Sequence, residues 1–110
     1  MNRQHRELAA GRWQEFSVLE QMAHVGSEVE RAMTWKRRQN TGYFMLAFGR
    51  ALELLDLTAA DPKNRKRLRE VLRVREALVD FLMYDNVYHT DEAGWRRYFL
   101  QFNYACRARV

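Results

Sequence analysis

The sequence predicts an all-α chain folded as an antiparallel up-down-up-down four-helix bundle with an N-terminal arm, and three observations carry that reading. In four separate segments apolar residues recur at alternating spacings of three and four, the period of a helix that buries one face. Capping or turn residues precede each segment, and no stretch alternates apolar and polar residues as a half-buried strand does. The connections are short, which favours antiparallel neighbours.

Residues 1–16 are expected to form the arm, because Gly11 interrupts a polar stretch and only Trp13 and Phe16 offer apolar surface to tuck against the body. The bundle then occupies residues 17–110. Ser17 and Glu20 stand three apart, the spacing at which each side chain satisfies a free backbone N–H of a helical first turn. The first helix is therefore placed at about 17–38, with Val18, Met22, Val25, Val29, Ala32 and Met33 as its stripe. Asn40-Thr41-Gly42 interrupts the period, and a second helix follows at about 42–58. Phe44, Phe48, Ala51 and Leu55 form one apolar face of it, while Tyr43, Leu46, Ala47, Leu54 and Leu57 form another. A helix apolar on two sides is packed on two sides, either inside the monomer or against another subunit.

Asp61-Pro62 reads as a fresh N-terminus, with Asp as cap and Pro at the first helical position, where its missing N–H costs nothing. A single third helix at about 62–84 is expected to bury Leu68, Val71, Leu72, Leu78, Val79 and Leu82. Thr90 is the expected cap of the fourth helix, about 91–108, with Asp91 and Glu92 favourable in its first turn. Trp95, Tyr98, Phe99, Phe102, Ala105 and Cys106 form its stripe.

With 110 residues, 47% of them hydrophobic and 13% aromatic, the chain can bury one modest core and is not a disordered polyelectrolyte. Cys106 is the only cysteine, so no intrachain disulfide framework exists and a reducing cytoplasm is expected. The first ten residues lack the apolar stretch of a secretory signal, and the longest apolar run, Tyr43 to Phe48, is far short of the ~20 residues of a bilayer span. No membrane partner is expected.

Catalytic and metal chemistry find little support. His5, His24 and His89 lie in different elements, and Glu20 with His24 lacks the second Glu-x-x-His helix of a di-metal bundle. Cys106 sits within an apolar stripe, where it acts as a small hydrophobe. The glycines are scattered and none precedes a Lys-Ser/Thr pair, so no phosphate loop is present. The sequence therefore predicts no metal, no cofactor and no enzyme.

Charge is the informative feature. The chain carries +5, yet residues 63–75 hold seven cations, Lys63, Arg65, Lys66, Arg67, Arg69, Arg73 and Arg75, against the single Glu70, a local +6 that leaves −1 for everything else. Cations near a helix N-terminus oppose the macrodipole by a few tenths of a kcal/mol each, so stability does not explain them. Projected at ~100° per residue, Arg65, Lys66, Arg69 and Arg73 share the face opposite Leu68, Val71 and Leu78. Such a ridge either neutralises phosphates or merely forms a solvated helix face. Arg75 projects into the apolar side, where a buried ion pair with Glu53, Asp56 or Glu28 fixes helix register; a catalytic arginine is the alternative.

On the fourth helix Arg96, Arg97 and Arg107 accompany Leu100 and Tyr104, which point away from the stripe and serve either base stacking or a subunit contact. His24, Glu28, Arg31 and Trp35 share the outward face of the first helix, and Trp35 either packs on the arm or anchors a partner. Lys36-Arg37-Arg38 extends the basic surface.

In length, four amphipathic helices, short turns and basic balance over about residues 17–107, the chain resembles the small bacterial four-helix-bundle group. That group includes the ribosomal intervening-sequence proteins and the accessory variability-determinant proteins of diversity-generating retroelements. Gly26-Ser27-Glu28-Val29-Glu30-Arg31-Ala32 and Arg50-Ala51-Leu52-Glu53-Leu54-Leu55-Asp56 likewise resemble segments of small bacterial proteins. The resemblance implies a homo-oligomer that binds RNA or DNA together with a reverse transcriptase. The HEPN ribonucleases are also small helical bundles, but their Arg-then-His signature has no counterpart here, since neither His24 nor His89 has an Arg four to seven positions before it.

The expectation is thus a non-enzymatic nucleic-acid-binding protein using Lys63, Arg65, Lys66, Arg69, Arg73, Arg96, Arg97 and Arg107, with Trp35, Leu46, Leu57, Leu100 and Tyr104 at a partner or oligomer interface. The alternative is a protein-interaction module, adaptor or antitoxin-like, with no nucleic-acid role.

Overall fold

A computed structural model of the protein describes residues 11–108, and these are helical or in turns throughout, with no strand among them. Residues 1–10 of the expected arm, with His5, lie outside the described residues. Residues 11–13 are helical and lead through a turn to Ser17. The main elements are α1 (Val18–Arg37), α2 (Thr41–Ala60), a 3₁₀ helix (Pro62–Arg67), α3 (Leu68–Met83) and α4 (Glu92–Ala108). None of the described helices is long and apolar enough to cross a membrane.

Capping chemistry sets the starts. The Ser17 hydroxyl accepts from the Glu20 N–H at 3.2 Å while the Glu20 carboxylate accepts from the Ser17 N–H at 3.1 Å, a reciprocal capping box. Asn40 Oδ1 accepts from the Tyr43 N–H at 3.0 Å and starts α2. At α4 the cap is Asp91, not Thr90: Asp91 Oδ1 accepts from the Gly94 N–H at 2.7 Å. Thr90 is drawn aside, its hydroxyl accepting from the Trp95 indole N–H at 3.0 Å and its backbone N–H bonding Asn86 Oδ1.

The single third helix expected at 62–84 is two pieces. Asp61 caps a 3₁₀ helix by accepting from the Lys63 N–H, and the Asn64 N–H bonds the Asp61 carbonyl three residues back. The Asn64 side chain is buried, donating to Gln21 Oε1 at 2.7 Å and to the Thr58 carbonyl at 3.0 Å, which holds the tight winding. Within α3 the buried stripe is Val71, Val74, Leu78 and Leu82, at helical spacings of three, four and four; the expected core residue Leu72 lies about 100° round the helix from Val71, and it and Leu68 are exposed.

Helix α1 lies against both α2 and α4, and α2 lies against α3. Met22, Val25, Val29, Ala32 and Met33 of α1 meet Phe44, Phe48, Ala51 and Leu55 of α2 and Trp95, Phe99 and Phe102 of α4 in one core. Helices α1 and α4 come close at Gly26, where a Cβ would stand 2.7 Å from the Phe99 Cβ. The end of α1 reaches the start of α4 through Arg37 and Glu92 at 3.1 Å, and the end of α3 through Lys36 Nζ donating to the Leu82 carbonyl. Within the chain the second apolar face of α2 is only partly covered: Ala47 is buried, Leu54 and Leu57 are half-buried, and Tyr43 and Leu46 are exposed.

Candidate nucleic-acid interface

The basic segment is anchored by a buried polar cluster. Gln21 Nε2 donates to the Trp13 carbonyl and to Asp61 Oδ2, both at 2.9 Å, and its Oε1 accepts from Asn64. The Trp13 indole N–H donates to the Thr58 hydroxyl at 2.9 Å, and that hydroxyl donates to the Leu54 carbonyl at 2.7 Å. Gln21, Thr58, Asp61 and Asn64 are all at most 4% exposed, so each bond forms where an unpaired polar group is costly. Burial alone raises the Asp61 carboxyl pKa, but hydrogen bonds from Lys63 and Gln21 outweigh it and hold the group below its ordinary value. Sequence reasoning missed this cluster, although Gln21 and Thr58 both fall on apolar stripes, the available sign of a satisfied buried polar group.

Against this anchor the eight expected binding cations divide. Lys63 is committed: its ammonium pairs with Asp61 and donates to the Gln14 carbonyl at 3.0 Å. Arg65, Lys66, Arg69 and Arg73 are exposed and make no ion pair among the described residues, whereas their neighbour Arg67 lies 3.6 Å from Glu70. Arg96 is held toward α1 by Glu30 at 2.7 Å and also bonds Glu92 at 3.1 Å. Arg97 and Arg107 are exposed without an ion pair among the described residues, and Arg97, about 100° round α4 from Arg96, lines a cleft shared with α3. The structure thus brings Arg73 and Arg97 to one cleft and keeps Arg96 apart.

Arg75 pairs with Asp56, Nε to Oδ1 at 2.7 Å and Nη2 to Oδ2 at 3.4 Å. Asp56 is among its expected partners, but the pair is not buried, the two side chains being 36% and 59% exposed. Val74, not Arg75, faces the core, and the guanidinium emerges at the α2–α3 surface.

The cleft between α3 and α4 has a volume of about 490 Å³ and is lined by Arg73, Val74, Ala77, Trp95, Arg97 and Tyr98, with the loop residues His89 to Asp91 at one end. Tyr98 donates its hydroxyl proton to Glu70 at 2.6 Å, and burial together with that acceptor pushes its phenol pKa far up, so it stays a neutral donor. Trp95 is fixed by its bond to Thr90. No three His, Cys, Asp or Glu side chains among the described residues come together as a metal site.

Of the expected interface residues, Leu46, Leu100 and Tyr104 are exposed and Leu57 is half-buried. Trp35 is half-buried: its ring lies 4.8 Å from that of Tyr43, with the Arg38 guanidinium 5.5 Å above it. Trp13 and Phe16 pack on His24, at 5.8 and 5.0 Å between centroids. Sequence reasoning also passed over Tyr84, Val87 and Tyr88, exposed in the α3–α4 loop, where Asp80 accepts from the Val87 and Tyr88 N–H groups and Asn86 and His89 adopt positive φ. Compared with known proteins, the chain matches no family model, no curated protein and no solved structure, so its function is read from these residues themselves.

Proposed function

We propose that the protein is a non-enzymatic, basic four-helix bundle with antiparallel neighbours that binds nucleic acid through the exposed cations at the start of α3. In this reading it is a cytoplasmic homo-oligomer and an accessory to a larger nucleic-acid enzyme such as a reverse transcriptase. One observation carries the binding: Arg65, Lys66, Arg69 and Arg73 are exposed without an ion pair among the described residues, while Lys63, Arg67, Arg75 and Arg96 all have carboxylate partners. Unpaired cations at a helix start weaken the fold slightly, so their use lies outside it, and successive exposed cations release phosphate counterions. Exposed Leu46, Leu100 and Tyr104 support self-association. The test changes Arg65, Lys66, Arg69 and Arg73 together to Gln: affinity for RNA and DNA falls at fixed salt while the helical circular-dichroism signal stays. Solution mass with and without nucleic acid checks the oligomer.

A second reading, a protein-interaction module, is favoured by Leu68 and Leu72, which stand exposed among the same cations and suit an acidic protein surface better than phosphates. It predicts no binding of generic RNA at moderate salt.

A further inference from the structure

We infer that the nucleic acid bound is single-stranded and that one unstacked base enters the cleft between α3 and α4; this rests on the nucleic-acid reading above. Two cations from different helices line this cleft. Arg73 comes from α3 and Arg97 from α4, both exposed and neither ion-paired among the described residues. The carboxylates nearby are already used: Asp91 accepts from the Gly94 N–H, and Glu70 accepts from the Tyr98 hydroxyl and lies near Arg67. The two guanidiniums are therefore available to an anion.

Apolar and aromatic residues share the lining: the half-buried Ala77 and Tyr98 offer most of the surface and the buried Val74 and Trp95 back them, with the Trp95–Thr90 and Tyr98–Glu70 bonds holding the rings in place. At about 490 Å³ the cleft is in the size range of small-ligand sites. Cations and an apolar, aromatic slot in one cleft match a nucleotide, whose phosphate is charged and whose base has a π face. In a duplex the bases are stacked away and only the phosphates reach Arg73 and Arg97, leaving the slot unused. A single strand splays its bases out for stacking on aromatic side chains while its backbone follows the charges. Arg73 also ends the exposed series Arg65, Lys66, Arg69 and Arg73, so a strand tracked along α3 arrives at the cleft.

The experiment compares three probes on the full chain at one salt concentration by fluorescence anisotropy: a short oligodeoxythymidine, an abasic strand of the same length, and a duplex of that length. The expected result is that oligodeoxythymidine binds about 5- to 150-fold more tightly than the abasic strand, the factor that stacking of one base supplies. It also binds more tightly than the duplex. Ala77→Trp, which fills the slot without touching a charge, brings oligodeoxythymidine down to the abasic level and leaves abasic binding as it was. Equal binding of the abasic strand, or duplex binding as tight as the single strand, overturns the base-in-cleft inference while leaving nucleic-acid binding intact. Failure of all three probes to bind overturns both. If circular dichroism shows Ala77→Trp unfolded, the wild-type comparison of the probes decides.

Discussion

Replacing Gly26 by Ala puts a methyl where α1 and α4 touch. The added Cβ falls 2.7, 2.9 and 3.0 Å from the Cβ, Cγ and Cδ1 of Phe99, and ordinary contact begins near 3.4 Å. The overlap is thus about 0.7 Å at the shortest pair. Turning the Phe99 side chain about χ1 relieves the contacts to Cγ and Cδ1 but not the one to Cβ, which is bonded to the backbone, so α4 itself has to move. Overpacking of this kind costs about 1–3 kcal/mol, against which Ala returns up to ~1 kcal/mol over Gly in a helix interior. Gly49, inside α2 with nothing within 4 Å of its would-be Cβ, supplies the reference, since Gly49→Ala gains the propensity without the clash. Urea unfolding followed by circular dichroism therefore places Gly26→Ala about 1–3 kcal/mol below Gly49→Ala, at unchanged m-value. Equal stability of the two variants refutes the close α1–α4 approach.

Three other substitutions test neighbouring parts of the account. The folded Asp61 carboxyl lies below its ordinary value of 3.8, so its contribution to stability is present above that pH and is lost as pH falls through the folded value. Asp61→Asn should lower stability at neutral pH by about 1–3 kcal/mol and flatten the acid limb of a urea-stability against pH profile; an unchanged acid limb counts against the buried cluster. Gln39, just past the end of α1 at φ 58°, should be stabilised by about 1 kcal/mol on change to Gly, read as a higher thermal midpoint, and a lower midpoint contradicts the left-handed C-terminus. Arg75→Gln should cost less than about 1 kcal/mol in urea unfolding because the Asp56 pair is exposed, whereas a loss of several kcal/mol would mean a buried pair.

The part of the fold legible in the sequence is mostly local. Ser17 and Glu20 complete a capping box within one turn, and Asp61-Pro62 marks a restart within two residues. The 3₁₀ winding after Pro62 is not legible, because it depends on Asn64 meeting Gln21 across 43 positions. Which face of α3 turns to the core is likewise a matter of packing against distant residues: Val74 is buried with the α1 and α2 core, while Leu68 and Leu72 are exposed and Arg75 reaches the surface. At α4, Thr90 and Asp91 both qualify as caps, and the choice falls to Trp95, whose indole takes Thr90. The candidate site shows the same division. Concentration of charge in residues 63–75 is visible in one dimension, but which cations are spent is decided by partners far along the chain, as with Glu30 and Arg96, 66 positions apart. The cleft that joins Arg73 to Arg97 exists only in the folded chain, where α3 and α4 both contribute to its lining.

The most direct test of the central claim is the salt dependence of nucleic-acid affinity for the wild-type chain and for the variant with Arg65, Lys66, Arg69 and Arg73 changed to Gln. Each phosphate contact contributes about 0.7 to the log–log slope on a single strand and about 0.9 on a duplex. With all four cations on phosphates, the variant binds weakly and its slope is shallower by about 3. The same affinity and the same slope in both proteins would contradict the account.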